Sequence, residues 1–289
     1  MPNSTAQTRK GIYLYLFFTF AISTVFYTLL IHSGKLRGAS GIYSIGLMWS
    51  PAIATWLTCT TLKRDFTGLA WQWGKTRYQV WAYFTPLLYA LAAYLFIWLT
   101  ELGGFFSKEF IGRTAASLGW GKLPYPIVIL LYFLILGIYR LPGSMSNALG
   151  EEIGWRGFLA PELYKLTNNY TRTSLISGII WAIWHYPILL FADYNNGAPA
   201  WYGLTCFTVM VVGMSFIFTW FRLKSNSLWT GVLLHASHNL FIQGFFTPLT
   251  KDTGHSKYYI DEFGAVLAIV SLLLATYFWR RRHELPATE

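Results

Sequence analysis

The stretch Asn147–Leu163, NALGEEIGWRGFLAPEL, sets two adjacent glutamates and an arginine in an otherwise apolar, aromatic segment. On a surface helix, Glu151, Glu152 and Arg156 would sit in water and say little about the fold. Within a bilayer, each charge costs about 2.5–3.5 kcal/mol near the centre, and such residues face a bundle interior, paired and functional. The residues around the arginine, IGWRGFLA from Ile153 to Ala160, favour the second reading.

The rest of the chain agrees. Its 289 residues are 54% hydrophobic, 19% aromatic and 12% charged, with a mean hydropathy of +0.40, against roughly 25% charged for a soluble domain. Apolar residues gather in runs of about 20, the length of a bilayer span. They lie at roughly 11–31, 42–62, 80–101, 126–141, 146–164, 173–191, 201–221 and 226–245, with a ninth near 263–279. The expected fold is all-α: a polytopic integral membrane bundle of about eight transmembrane helices around an intramembrane polar site. The 146–164 segment is short and follows RLPGS at Arg140–Ser144, so it reads either as its own span or as the 126–141 helix resumed after a break. Residues 11–280 are expected to form one membrane domain with the motif-bearing core at 146–245. Residues 1–10 and the basic tail 281–289 would flank it.

Charge bears on orientation and partners. Arg9 and Lys10 precede the first span and Arg280, Arg281 and Arg282 follow the last, which places both termini in the cytoplasm. Lys63, Arg64, Lys75 and Arg77 agree, whereas Lys108, Arg113 and Lys122 fall on the outside of that arrangement. The net charge of +10 is spread over loops, as suits an anionic membrane surface rather than nucleic acid. The expected partners are membrane lipids and a membrane-associated protein or peptide; nucleic acid is not one, and the oligomeric state is not specified. The first apolar run reads as a retained signal anchor. Cys59 and Cys206 lack metal-like spacing and read as small buried hydrophobes.

Helical geometry sorts the polar cluster. Glu152 and Arg156 are four apart and can pair, with the acid N-terminal to the base. Glu151 stands about 100° round the helix, free for another partner and thus available as a general base. His32, His255 and His283 lie in loops or near the terminus. His185 closes SGIIWAIWHYP, with Trp181 four residues earlier to stack on its ring and Pro187 just after. LLHASHN supplies His235 and Asn239 on one helix face, with His238 about 60° to the side.

These elements, EExxxR, WxxxH and HxxxN in that order from Ala148 to Leu240, resemble the CPBP family of intramembrane endopeptidases, whose best-known branch is the Ras-converting CAAX prenyl endopeptidase. The resemblance implies that Glu151 and His185 activate a water, that His235 and Asn239 stabilise an oxyanion, and that Glu152, Arg156 and Trp181 support them. Two positions depart from the family pattern: Trp181 stands where phenylalanine is usual, and WRG at Trp155–Gly157 replaces FRG. Both keep an aromatic. No cofactor is expected. The nearest alternative is a zinc-dependent protease with Glu151, His185 and His235 or His238 as ligands, although no HExxH is present. A second alternative is a non-enzymatic membrane binding or bacteriocin-immunity protein. A proton-coupled transporter would also use intramembrane Glu, Arg and His, but paired broken spans in matching halves are missing.

Overall fold

A segment that is apolar on all sides must satisfy its backbone from within, and in lipid that means a helix. The computed structural model describes residues 5–33, 41–192 and 194–286. Among these, secondary structure is helical except for one isolated bridge between Gly104 and Lys251. The α-helices are α1 (Thr5–Ser33), α2 (Gly41–Thr61), α3 (Thr76–Leu99), α4 (Lys108–Ser117), α5 (Tyr125–Leu134), α6 (Leu141–Glu152), α7 (Ala160–Thr167), α8 (Tyr170–Phe191), α9 (Ala200–Ser225), α10 (Trp229–His238), α11 (Thr247–Leu249) and α12 (Ala265–Arg280). The all-helical membrane fold read from the sequence is therefore present. Of the flanking segments, residues 1–4 and 287–289 lie outside the described residues.

The number of self-sufficient spans is smaller than the expected eight. Among the described residues, four helices, α1, α3, α8 and α9, are long and apolar enough to cross a membrane, and a bent pair, Tyr125–Tyr139 with Leu141–Thr167, makes a fifth if it is one span. That pair bends by 48°, so RLPGS marks a break within one path, as the second of the two sequence readings has it. Pro142 opens α6, where its missing N–H costs nothing. The other long paths fall short for local reasons. Helix α2 is diluted by Ser, Thr and Pro. The path from α10 to α11 carries His235, His238, Asn239 and Gln243, and α12 has only 16 residues.

Helix α9 is the centre of the bundle: 72% of its apolar window is buried, against 28% for α1. Glycines allow its close contacts. A Cβ on Gly178 of α8 would stand 2.9 Å from Val212 Cα, and one on Gly213 would stand 2.6 Å from Ser271 Oγ of α12. The same device seats α6 against α2. A Cβ at Gly150 would meet the Met48 carbonyl at 2.8 Å and Trp49 Cα at 2.9 Å, and one at Gly154 would meet the Pro51 Cβ and the Tyr15 hydroxyl at 2.4 Å. Gly150 and Gly154 are thus a small-xxx-small pair that brings two backbones together. Gly150→Ala is expected to destabilise the protein by about 1–3 kcal/mol, because backbone atoms cannot move aside as a flexible side chain can. Gly112→Ala, on α4 with nothing within 4 Å, is the control. Thermal unfolding in detergent compares them, and equal midpoints for the two variants would disprove the close-approach argument.

Among the described residues, three π-helical turns interrupt the helices: Ile135–Tyr139, Ile153–Leu159 and Asn239–Phe246. Such turns loosen the backbone ladder and recur at functional sites. Each has a carbonyl taken up by a donor from elsewhere. The Tyr83 hydroxyl donates to Gly137 O at 2.7 Å, Arg222 Nε to Arg156 O at 2.8 Å, and the Tyr132 hydroxyl to Gly244 O at 3.3 Å. The second and third turns directly follow Glu152 and His238 and bring the polar residues of the two helices together.

Candidate active site

The polar residues of α6, α8 and α10 meet in a cavity of about 180 Å³ lined by Glu151, His185, His235 and Asn239, room for several waters. Its remaining walls are mostly apolar, with Met48, Met210 and Met214 among them.

Glu152 is fully buried, and its Oε1 accepts from Arg156 Nη1 and from His235 Nδ1, both at 2.9 Å. The arginine pairing is the one helical spacing predicts. The link to His235 was not legible, since nothing in the sequence says which helix faces α6. Gly231 of α10 makes the room: a Cβ there would lie 2.8 Å from Glu152 Oε2. The Arg156 guanidinium sits 4.0 Å from the ring centres of both Trp181 and Phe218, so its charge is held by one carboxylate and two aromatic faces.

Glu151, 3% exposed, accepts through Oε2 from Trp181 Nε1 at 3.0 Å and Trp155 Nε1 at 3.3 Å. Its other oxygen has no protein hydrogen bond among the described residues. His185 Nδ1 donates to the Trp181 carbonyl at 2.9 Å, leaving Nε2 unshared. Trp181 does not stack on His185; the rings meet edge-on at 6.0 Å and 63°. The expected stacking is corrected to two hydrogen bonds, the indole N–H to Glu151 and the backbone carbonyl to His185, because Arg156 occupies the ring face. Trp184 packs perpendicular to His185 at 4.8 Å and is pinned by Ser23 Oγ of α1, which accepts from its indole at 2.7 Å. Glu151 and His185 share the cavity without a direct hydrogen bond.

The two imidazoles are anchored through the same nitrogen to different partners, and that sets their chemistry. A neutral carbonyl on Nδ1–H leaves His185 with a basic Nε2. His235 instead has a carboxylate, Glu152, on its Nδ1, which leaves its Nε2 facing the cavity. The Asn239 side chain has no protein hydrogen bond among the described residues.

One part of the site escaped the sequence reading. His238 lies between the Tyr89 hydroxyl at Nδ1 and Glu262 Oε1 at Nε2, the latter at 2.8 Å. Glu262 also accepts from Gln243 Nε2 at 2.9 Å and the Tyr194 hydroxyl at 3.0 Å. With both nitrogens engaged, His238 is no longer available as a metal ligand. The signal for Glu262 was the acidic pair Asp261–Glu262 just ahead of the last apolar run, in a chain with only 12 acidic residues. As for zinc, no three His, Cys, Asp or Glu side chains among the described residues stand close enough together to hold a metal ion. The set of Glu151, His185 and His235 does not fit as arranged. Cys59 and Cys206 are free and buried.

Fold and cavity thus define a helical integral membrane protein with a buried carboxylate–imidazole site. Residues 124–241 match the family model described as Type II CAAX prenyl endopeptidase Rce1-like. The resemblance drawn from EExxxR, WxxxH and HxxxN is borne out over that segment. The chain is also 31% identical over 117 residues to the uncharacterized protein YyaK of Bacillus subtilis (strain 168), a stretch covering 40% of this chain and 35% of that protein. The match therefore spans about a third of the relative's length. A short model, the PGF-CTERM motif, matches residues 263–282, which are α12 and its flanks.

Proposed function

We propose that this chain is an intramembrane endopeptidase that hydrolyses a peptide bond of a membrane-associated protein or peptide, lipidated chains included. The observation that carries the reading is the single cavity shared by Glu151, His185, His235 and Asn239. In this reading a water sits between the unshared Glu151 oxygen and His185 Nε2. It attacks the scissile carbonyl as its proton passes to that pair, and the same pair returns the proton to the leaving amine. The carbonyl oxygen gains charge where His235 Nε2–H and the Asn239 amide donate. Glu152 and Arg156 are positioning residues: the carboxylate fixes the His235 ring through Nδ1, and the arginine fixes the carboxylate. Both termini are placed in the cytoplasm, on the strength of Arg9, Lys10 and Arg280–Arg282.

The test compares membrane-associated peptides from cells carrying the intact protein with those from cells carrying Glu151→Ala, His185→Ala or His235→Ala. One shared set of cleavage products is expected to vanish in all three, and unchanged peptide profiles would overturn the reading. Hydrolysis is expected to persist after exhaustive chelation. Loss under chelation with recovery on adding zinc would instead place the metal set at the site.

A further inference from the structure

A second concavity opens away from the catalytic cavity, between α3, α9 and α12, with a volume of about 870 Å³. One wall is a face of α3 from Tyr78 through Trp81, Thr85 and Leu88 to Ala92. The other is α12, from Val270 through Leu273 and Tyr277 to Arg281. Trp220 and Phe221 of α9 form the floor. Several of these apolar side chains are open to the surroundings, with Leu273 66% and Trp81 57% exposed.

The charges gather at one end. Arg77, Lys224 and Arg281 line the groove there with a single carboxylate, Glu284. That carboxylate is taken by Arg281, whose Nε and Nη2 donate to it at 2.6 and 2.9 Å. The Arg281 hydrogen bonds hold Glu284 below the usual carboxylate range, so it stays ionised and engaged with Arg281. Lys224 donates only to the Glu284 backbone carbonyl, and Arg77 has a tyrosine hydroxyl but no acidic partner among the described residues. With three cations to one carboxylate, this end of the groove keeps a net positive charge beside an apolar trench. From Val270 to Arg281 the α12 wall rises about 16 Å, which is close to the depth of one leaflet of a 30 Å hydrocarbon core.

We propose that this groove binds one anionic phospholipid, its phosphate between Arg77 and Lys224 and an acyl chain laid along the α3–α12 trench. Apolar length alone would accept any lipid; the uncompensated charge selects an anionic one. Tyr89 joins this site to the other. It lines the groove, and its hydroxyl is bonded to Nδ1 of His238 on α10. A lipid chain seated there presses on a residue belonging to the polar network beside the catalytic cavity.

Purified protein is exposed to an equal mixture of phosphatidylglycerol and phosphatidylcholine, and the lipid retained is counted by native mass spectrometry. This readout does not involve hydrolysis, so its result is separate from the protease reading. One phosphatidylglycerol per chain is expected, with little phosphatidylcholine. Each basic residue near an anionic lipid contributes about fivefold in affinity, so Arg77→Gln with Lys224→Gln should lower the preference by about 30-fold. Thr85→Trp, which fills the trench and leaves the charges in place, should lower retention of both lipids. Should the double variant unfold, the Thr85→Trp variant and the wild-type preference still decide the question. Equal retention of the two lipids by the wild type, an undiminished preference in a folded double variant, or undiminished retention in a folded Thr85→Trp variant overturns the proposal.

Discussion

Glu151→Gln is expected to lower peptide hydrolysis by about 10²–10⁴-fold, the contribution of a positioned general base, while leaving the fold intact. The amide oxygen can still accept from the indoles of Trp181 and Trp155, so the side chain keeps its place and only its basicity is lost. The measurement is turnover of a membrane-associated peptide by purified variant, with the thermal midpoint recorded alongside. A variant with both the wild-type midpoint and wild-type turnover would remove Glu151 from the chemistry. A full biological effect without any turnover would favour a binding or immunity protein.

The neighbouring position is expected to behave in the opposite way. Glu152→Ala removes the one carboxylate hydrogen-bonded to both Arg156 and His235, leaving a guanidinium that is 2% exposed without its ion-pair partner. Breaking a buried pair from one side costs about 3–5 kcal/mol, because the stranded charge remains desolvated. A large fall in the thermal midpoint is expected, together with loss of turnover. Replacing Arg156 by Met in the same chain should recover part of the stability, since no charge is then stranded, but not the turnover, since His235 still lacks its carboxylate. If Glu152→Ala unfolds at the wild-type temperature, the ion pair does not hold the core together.

Much of the site was legible because it rests on local spacing. The Glu152–Arg156 pair is a helical i,i+4 contact, and the three polar segments stand out against an apolar background. What was not legible depends on which surfaces meet. His235 reaches Glu152 because Gly231 and the α6 turn let two helices approach. Trp181 reads as a stacking ring until Arg156 is seen over its face. Glu262 lies outside any periodic segment, so helical spacing could not connect it to His238. Fewer helices qualify as spans by length and apolarity alone than the sequence runs suggest, because apolar length does not separate a lipid-facing helix from an inner one. Helix α12 and the α10–α11 path are short or polar, and their neighbours supply much of what lipid would otherwise have to.

The seven residues from Ile153 to Leu159 also carry a matter of phase. A π turn closes its ring one residue later than an α turn, and one residue is worth about 100° of rotation. The lag lets Glu151 and Glu152 point toward the middle of the bundle while Glu162, farther along the same path, meets Arg64 at 2.8 Å at the end where α2 terminates. A homologous chain that kept EExxxR but lost one residue from this stretch would turn its α7 acid away from the α2 cation. For this site, chain length between the motif and the next helix is as binding a constraint as the identity of the motif itself.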